Sequence, residues 1–287
     1  MNMDKPLTAD MLSANNVDMI VPTRRGASFI IPLLEKAANN TEWIRHTFVV
    51  VFDFDAEDEM NKTKQWYRQA KEEMPMPWAT FIMADPENRG NVAALRHQGV
   101  VNGHNAFIYF QDDDDPLPCG IEKRINYMNE TGFEAVYGVT ETTTSRGQLI
   151  ERFPPLDAGG NYMFDPILGS KIFPTYLHPA CALFKRSLLE QHPYYDGTVY
   201  HISDAGAYLQ CILFAGAKVM ALPDVVRRAV QHEDNVSEPI MPQHQRKLLV
   251  EDIQNWRKYV TDENIAAFQD DMIDMLTNGE ITTFKEI

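Results

Sequence analysis

Residues 107–116 read FIYFQDDDDP, an apolar run followed directly by four carboxylates. The apolar run predicts a buried strand that delivers the acidic residues to its carboxyl end, the edge where open α/β sheets bind ligands. Neighbouring carboxylates repel one another unless a cation lies among them. We interpret Asp112 and Asp114 as a D-x-D pair directed at a divalent metal, with Pro116 and Pro118 stiffening the chain behind them. A solvated acidic turn is the alternative, whereas an EF-hand is excluded because its glycine and twelfth-position glutamate are missing.

Composition limits the class of protein. The 287 residues, of which 44% are hydrophobic, suffice for one large α/β domain with or without a small extension. The net charge of -15 argues against a general polyanion binder. Cys119, Cys181 and Cys211 are too scattered for a disulfide framework or a zinc site. The sequence shows neither a signal peptide nor an apolar run of about 18 residues, so we expect a cytoplasmic protein without integral membrane association.

Strand and helix patterns alternate in the first half of the chain. We expect strands over 17–22, 47–54, 78–83 and 106–111, and helices over 28–40, 56–74 and 92–102. This alternation predicts parallel strands joined by right-handed crossovers. The sequence contains neither a G-x-G-x-x-G dinucleotide fingerprint nor a P-loop, so a nucleotide would be held by other means.

The second half is less regular. We expect strands over 134–138, 148–153, 178–184 and 218–222, after which 225–230 leads into the segment with His232. We expect helices over 121–130, from Ser187, and over 204–215, 243–260 and 264–277. Residues 154–174 are rich in proline and glycine and predict one long loop. The last two helices are amphipathic and are expected to lie outside the core sheet.

Polar motifs between Val17 and Ser237 follow the order found in one enzyme family. They are a first strand ending in Pro22-Thr23, an acid after the second strand (Asp53), Asn88-Arg89-Gly90 before a helix with Arg96, the Asp-x-Asp-Asp pattern of Asp112, Asp114 and Asp115, an acid at a helix start (Asp204), and His232 with Ser237. In these motifs the chain resembles inverting, GT-A-fold glycosyltransferases of family 2. Two positions depart from the family pattern. Asp53 and Asp55 are not adjacent, which leaves Asp55 as an alternative base contact, and Ser203 replaces a glutamate.

The resemblance implies a fold and a domain organisation. The fold is α/β, a GT-A-type, Rossmann-like, mostly parallel sheet flanked by helices, with a small C-terminal helical extension. Residues 1–16 are a loose N-terminal segment. Residues 17–238 form the glycosyltransferase domain, divided into a nucleotide-sugar half (17–115) and an acceptor half (116–238). Residues 239–287 form the extension.

The resemblance also implies a donor site with a bound metal. The donor-binding residues are Thr23, Asp53, Arg96, Asp112 and Asp113, with Asp53 accepting from a uracil N–H and Arg96 near the diphosphate. Asp114 and His232 are the implied metal ligands. Hard oxygens with one imidazole suit Mn²⁺ better than Ca²⁺, and Mg²⁺ is the alternative. An ordinary exposed helix arginine and a surface histidine are the competing interpretations of Arg96 and His232.

Asp204 is the implied general base. It would accept the proton of the acceptor hydroxyl while the oxygen attacks the anomeric carbon opposite the leaving group, so that a single displacement inverts the configuration. A helix N-terminus keeps such a carboxylate ionised. A helix-capping acid without a catalytic role is the alternative interpretation of Asp204.

These inferences predict a metal-dependent inverting glycosyltransferase that moves a hexose, with glucose expected, from a UDP-sugar to an acceptor hydroxyl. The acceptor is left open among a glycan, a small molecule, a protein and a hydroxylated nucleobase in DNA. Two other functions remain: a sugar-nucleotide-binding module without turnover, and a nucleotidyltransferase, for which Thr23-Arg24-Arg25-Gly26 is an incomplete glycine-rich loop. The oligomeric state is also left open.

Overall fold

The computed structural model describes residues 15–43, 45–53, 56–172, 179–194, 208–209, 212–231 and 243–281. Contacts divide the chain into two compact units. The N-terminal unit comprises Met1–Thr131 and Leu183–Pro193, and the C-terminal unit comprises Gly132–Ala182 and Tyr194–Ile287. The domain boundaries predicted from the sequence stay a prediction.

The described elements follow one another along the chain. The first half contains β1 (Val17–Thr23), α1 (Ala27–Ala38), β2 (Thr47–Phe52), α2 (Glu57–Glu73), β3 (Trp78–Met83), α3 (Val92–Asn102), β4 (Phe107–Phe110) and α4 (Ile121–Thr131). The second half contains β5 (Ala135–Thr144), β6 (Leu149–Phe153), α5 (Pro166–Ile172), β7 (Ala182–Lys185), α6 (Arg186–Gln191), β8 (Val219–Gln231), α7 (Gln243–Trp256) and α8 (Glu263–Asn278). None of the described helices is both long and apolar enough to span a bilayer.

The sheet of the N-terminal unit has the strand order β3-β2-β1-β4-β7. All pairs are parallel except the antiparallel pair of β4 and β7. β2 and β4 are buried at every residue, and β1 at every residue except Pro22. Near-continuous apolar runs of this kind are typical of parallel strands whose sheet is covered on both faces. Ile20 lies opposite both Val49 and Phe110, so the carboxyl ends of β1, β2 and β4 reach one edge. The predicted α/β fold class is confirmed.

Helix α3 packs closely on this sheet, against β1 and β2. Asn91 caps its first turn by accepting from the backbone N–H of Ala94 at 3.1 Å. A Cβ on Gly99 would come within 2.2 Å of Cγ2 of Ile20, so only glycine permits this close approach. The close packing of α3 on β1 at Gly99 therefore sets the position of Arg96 on this helix.

A buried polar network joins β1, β4 and α6 at the opposite end of the sheet. Asp18 is 1% exposed and forms an ion pair with Nη2 of Arg186. Arg186 also donates to the carbonyls of Asn105 at 2.6 Å and Val100 at 2.7 Å. The Asn105 amide donates to Oδ1 of Asp18 at 2.7 Å and to Thr47 Oγ1 at 3.1 Å. Each buried charge is thus hydrogen-bonded, which is the condition under which burial is tolerated.

Replacing Arg186 with Met should lower the free energy of unfolding by about 3–5 kcal/mol, because it leaves the Asp18 carboxylate buried without its cation. Urea titration measures this change. Lys62→Met, which removes the exposed Lys62–Glu59 pair on α2, is the control and should leave the urea midpoint nearly unchanged. Equal midpoint shifts in the two variants would contradict the analysis.

His46 is a buried, neutral hydrogen-bond acceptor before β2. It is 4% exposed, and its Nδ1 accepts from the backbone N–H of Val17 at 3.3 Å. Burial, assisted by the charge of Arg45, lowers its pKa to about 4. The Trp43 ring packs edge-on against the imidazole, with 5.4 Å between ring centroids.

Because the folded pKa lies below the unfolded value of about 6.5, the unfolded chain binds more protons between these pH values. Stability is therefore present above pH 6.5 and lost as the pH falls towards 4, by about 3 kcal/mol for a shift of this size. We expect His46→Gln, which keeps an acceptor and does not titrate, to show a flatter dependence of unfolding free energy on pH. Equal slopes in His46→Gln and the wild-type protein would refute the assignment.

In the C-terminal unit, β5 pairs antiparallel with β6 and parallel with β8. Two strand predictions were wrong in extent. β5 continues to Thr144 rather than ending at 138, and the strand predicted over 218–222 continues to Gln231 as β8. The register jumps here, since Tyr137 faces Ala221 whereas Val139 faces Val225. The extra residues of β8 include Pro223, which has no N–H to give to the ladder, so an irregularity accommodates it without ending the strand.

The loop predicted over 154–174 contains a helix, α5, so this prediction was also wrong. Oδ1 of Asp165 accepts from the backbone N–H groups of Ile167 at 2.9 Å and Leu168 at 3.3 Å. Pro166 occupies the first helical position, where its missing N–H costs nothing. The dipeptide Asp165-Pro166 is a helix-start signal. The prediction of a loop rested only on the overall proline and glycine content of 154–174.

The two amphipathic helices predicted near the C-terminus are present as α7 and α8. They share a small core formed by Leu249, Ile253, Met272, Leu276 and Ile281. The strand predicted over 178–184 is described only from 179, as a 3₁₀ turn followed by β7. Half of the residues in the helix predicted over 204–215 are described, and of these 208–209 and 212–214 are helical.

Candidate functional site

A cavity of about 260 Å³ opens at the carboxyl edge of the N-terminal sheet. Its walls come from the loop after β1, the start of α3 and the turn after β4. The lining residues are Pro22, Thr23, Arg24, Arg25, Val92, Leu95, Asp112, Asp113 and Asp114. The acidic cluster predicted from the sequence therefore faces a cavity together with two arginines from the neighbouring strand's loop.

Asp113 is buried, with 8% exposure, as is Asp115 of the same cluster. It accepts from Thr23 Oγ1 at 2.6 Å, and Thr23 Oγ1 in turn accepts from the backbone N–H of Gly26 at 3.2 Å. This chain of hydrogen bonds links the turn after β4 to the loop after β1. The predicted donor-binding residues Thr23 and Asp113 thus lie in direct contact.

Arg25 lies between two carboxylates of the cluster. Its Nη2 pairs with Asp113, and its Nη1 donates to Oδ2 of Asp114 at 3.0 Å. Its guanidinium also stacks 4.1 Å from the ring centroid of Phe29. The cation expected among the carboxylates is therefore a side chain of the protein in this structure. Sequence reasoning missed this role, although Arg25 follows β1 and β1 is adjacent to the strand that carries the cluster.

The surroundings of Arg25 raise its pKa. Burial acts to lower it, and the hydrogen bonds and charges of Asp113 and Asp114 outweigh that effect. The guanidinium is therefore a permanent positive charge in this cluster at any physiological pH.

Arg96, on α3, contacts the same turn. It is 4% exposed, and its Nη2 donates to Oδ1 of Asp112 at 3.2 Å. Its guanidinium carbon lies 5.8 Å from the ring centroid of Phe110. The amide of Gln111 donates to the carbonyls of Asp112 at 2.7 Å and Asp115 at 3.1 Å, which holds the turn in shape. Arg96 is therefore not an ordinary exposed arginine, because it is buried against the acidic turn.

Asp53, at the end of β2, connects this strand to the loop before α3. Its side chain is fully buried, and its carboxylate accepts from the backbone N–H of Gly90 at 3.1 and 3.2 Å and from Nε of Arg24 at 2.8 Å. Its own N–H donates to the carbonyl of Thr23 at 2.9 Å. Asp53 thus fixes the predicted Asn-x-Gly loop beside the end of β1.

The structure brings six of the sequence-predicted site residues to one edge of the N-terminal unit. They are Thr23, Asp53, Arg96, Asp112, Asp113 and Asp114. Asp204 and His232 lie outside the described residues, as does the alternative base contact Asp55. The roles assigned to all of these residues stay predictions.

The donor chemistry at the cavity fits a hard divalent cation. Asp112 and Asp114 have side chains 24% and 26% exposed, and carboxylate oxygens are the ligands that Mg²⁺ and Mn²⁺ prefer. Among the described residues no three histidine, cysteine or acidic side chains converge as a ready metal cage. A metal here would therefore take further ligands from outside this group.

Asp53→Asn should loosen the loop before α3, because an amide oxygen is a weaker acceptor than a carboxylate for the Gly90 N–H. A charge-assisted hydrogen bond contributes about 1.5–3 kcal/mol, so hydrogen exchange at Gly90 should accelerate by roughly 10- to 100-fold. Asp85→Asn, at an exposed acid of the same loop with no capping hydrogen bond, is the matched control. Unchanged exchange at Gly90 in Asp53→Asn would contradict the assigned contact.

A scan of the sequence against protein-family models gives no match, and a search of curated proteins gives none either. Several solved structures do resemble this chain. Staphylococcus aureus TarS, residues 1–349, in complex with UDP-GlcNAc is 17% identical with a TM-score of 0.59, over 92% of this chain and 72% of that one. The mannosyltransferase PcManGT from Pyrobaculum calidifontis, in complex with GDP-Man and Mn²⁺, is 17% identical with a TM-score of 0.57, over 96% of this chain and 74% of that one. This chain therefore has the fold of GT-A-type glycosyltransferases.

Proposed function

We propose that this chain is a metal-dependent glycosyltransferase whose donor site is the cavity at the carboxyl edge of the N-terminal sheet. The observation that carries the proposal is the convergence of Thr23, Arg25 and the acidic turn on one cavity at the ends of β1 and β4. Ligands of open α/β sheets bind at this edge. The likeness to glycosyltransferase structures is a likeness of fold, and a fold by itself does not assign a function. The reaction class is therefore part of this proposal, and the residues at the cavity support it.

The cavity offers what a nucleoside diphosphate sugar needs. Asp114, with Asp112 beside it and His232 from outside the described residues, would hold the Mn²⁺ or Mg²⁺ ion. The metal, when bound, acts as a Lewis acid for the departing diphosphate. Arg24 and Arg25 add positive charge for the phosphate oxygens, and the guanidinium fork matches their geometry. Arg96 orients Asp112 from within the protein.

The donor nucleotide is proposed to be UDP, with a hexose such as glucose. The TarS complex with UDP-GlcNAc supports a uridine nucleotide, and the PcManGT complex with GDP-Man makes GDP the natural competitor in any test. Asp53 lies at the end of β2, where the resemblance expects the base contact. Its carboxylate accepts hydrogen bonds from the Gly90 N–H and from Arg24. Asp53 would therefore contact the nucleobase together with the Asn88-Arg89-Gly90 loop that it positions.

Transfer itself is proposed to be a single inverting displacement with Asp204 as base. The Asp204 carboxylate accepts the proton of the acceptor hydroxyl as that oxygen forms its bond to the anomeric carbon. The bond between the anomeric carbon and the diphosphate oxygen breaks at the same time, and the diphosphate leaves with the electron pair. The chemistry requires only an acceptor hydroxyl and does not specify the molecule that carries it.

Thermal melting with UDP, GDP and CDP, each with and without Mn²⁺, tests the donor site. A ligand that binds only the native state at a hundredfold excess over Kd stabilises it by about 2.7 kcal/mol. We expect UDP with Mn²⁺ to raise the melting temperature, and Asp114→Ala to abolish the rise. Asp165→Ala, at the capping acid of α5, is a control for the loss of one acid and should retain the nucleotide response.

The absence of a response to all three nucleotides would refute the proposed function. A response to UDP without turnover on any acceptor would favour a sugar-nucleotide-binding module.

Turnover in Asp204→Asn separates a general base from a helix cap. Asparagine caps helices as well as aspartate does, so the variant should keep the wild-type melting temperature. Loss of a general base should slow release of UDP from the sugar nucleotide by about 10²- to 10⁴-fold. Asp262→Asn, at the cap of α8, where the side chain accepts from Asn264 and Ile265, is the matched control and should turn over normally. Wild-type turnover in Asp204→Asn would remove Asp204 from the mechanism.

A further inference from the structure

The contacts of Arg25 divide unequally between two carboxylates. Two of its nitrogens face Asp113, Nη2 in a close ion pair and Nε at 3.3 Å, while Nη1 donates to Asp114 at 3.0 Å. The Arg25 side chain is 36% exposed, against 6% for Asp113 and 26% for Asp114. The arginine therefore covers the acidic cluster from its solvent side.

Asp113 has a second, independent anchor, and Arg25 has a second support. Asp113 accepts from Thr23 Oγ1 at 2.6 Å, so its position does not depend on the arginine alone. The guanidinium stacks on Phe29 at 4.1 Å, so it keeps a partner of its own on α1 when it moves within the cavity mouth. Breaking the contact between Arg25 and Asp114 therefore removes one hydrogen bond. The contacts of Asp113 with Thr23 and of Arg25 with Phe29 remain.

A divalent ion and the guanidinium cannot share Asp114 closely. Both are cations, and they would repel each other at contact distance in a partly buried site. The oxygen that Arg25 holds, Oδ2 of Asp114, belongs to the carboxylate assigned to the metal. Metal binding at this carboxylate therefore competes with an interaction already present in the protein.

We propose that Arg25 is a resident cation of the acidic cluster. It holds Asp114 while no divalent ion is bound and releases this carboxylate when the metal binds. This inference rests on the proposed function, because it concerns the metal of that donor site. The released guanidinium stays at the cavity mouth, beside Arg24, where the diphosphate of the donor lies. Arg25 is thus a positioning residue that couples metal entry to the binding of a phosphorylated ligand.

Isothermal titration with MnCl₂ alone, without nucleotide, tests the competition in the full chain. Arg25→Gln should bind Mn²⁺ about tenfold more tightly than Arg24→Gln. The two variants lose the same charge from adjacent positions of one loop. Arg25 pairs with Asp113 and Asp114, whereas Arg24 pairs with Asp53. Arg25→Lys, which keeps the charge and loses the planar fork, should lie between wild type and Arg25→Gln. Asp114→Ala in the Arg25→Gln background should abolish the tight binding.

Equal Mn²⁺ affinities in Arg25→Gln and Arg24→Gln, weaker binding in Arg25→Gln, or no Mn²⁺ binding by any variant would overturn the inference. Should Arg25→Gln fail to fold, the comparison of Arg25→Lys with Arg24→Lys decides the question in the same way. The outcome is separable from that of the proposed function, which is scored by nucleotide melting and by turnover of the wild type. A wild-type enzyme that turns over a UDP-sugar while both glutamine variants bind Mn²⁺ equally keeps its function and loses this role for Arg25.

Discussion

The parallel pairing of β1 with both β2 and β4 is the constraint on which the candidate site depends. Because the three strands run in one direction and stand in register at Ile20, their carboxyl ends share one edge. Thr23, Asp53 and the acidic turn after β4 follow those ends directly. A slip of one residue in either pairing would turn the side chains that follow that strand end to the opposite face, so the register of the strands places the site.

Charge balance is the second constraint. The chain is strongly acidic, yet the acids at this edge face arginines supplied by nearby elements. Asp53 pairs with Arg24, Asp113 with Arg25, and Asp112 with Arg96. Paired carboxylates and guanidinium groups suit a ligand that carries both signs of charge, such as a diphosphate with a bound metal ion. The metal would replace a resident positive charge, and the anion would meet the arginines that remain.

Much of the N-terminal unit follows from sequence patterns, because its strands are continuous apolar runs separated by helical periodicity and their ends carry polar residues. The placement of Asp112 to Asp114 at the sheet edge was predictable for that reason. The arginine that lies among them was not, because the choice between Arg24 and Arg25 depends on how the loop after β1 turns. Sequence patterns also failed at β8, which was expected to end at Leu222 and continues past Pro223 in its pairing with β5. They failed at α5 as well, whose cap is a single Asp-Pro step.

The most direct test is the crystal structure of the chain with UDP and Mn²⁺, with anomalous scattering recorded to locate the metal. We predict one anomalous peak about 2.1 Å from a carboxylate oxygen of Asp114. The diphosphate should lie between this ion and Arg25, and the base should lie towards the end of β2. A metal or nucleotide bound away from the acidic turn, with the cavity at the ends of β1 and β4 unchanged, would contradict the assignment of the donor site.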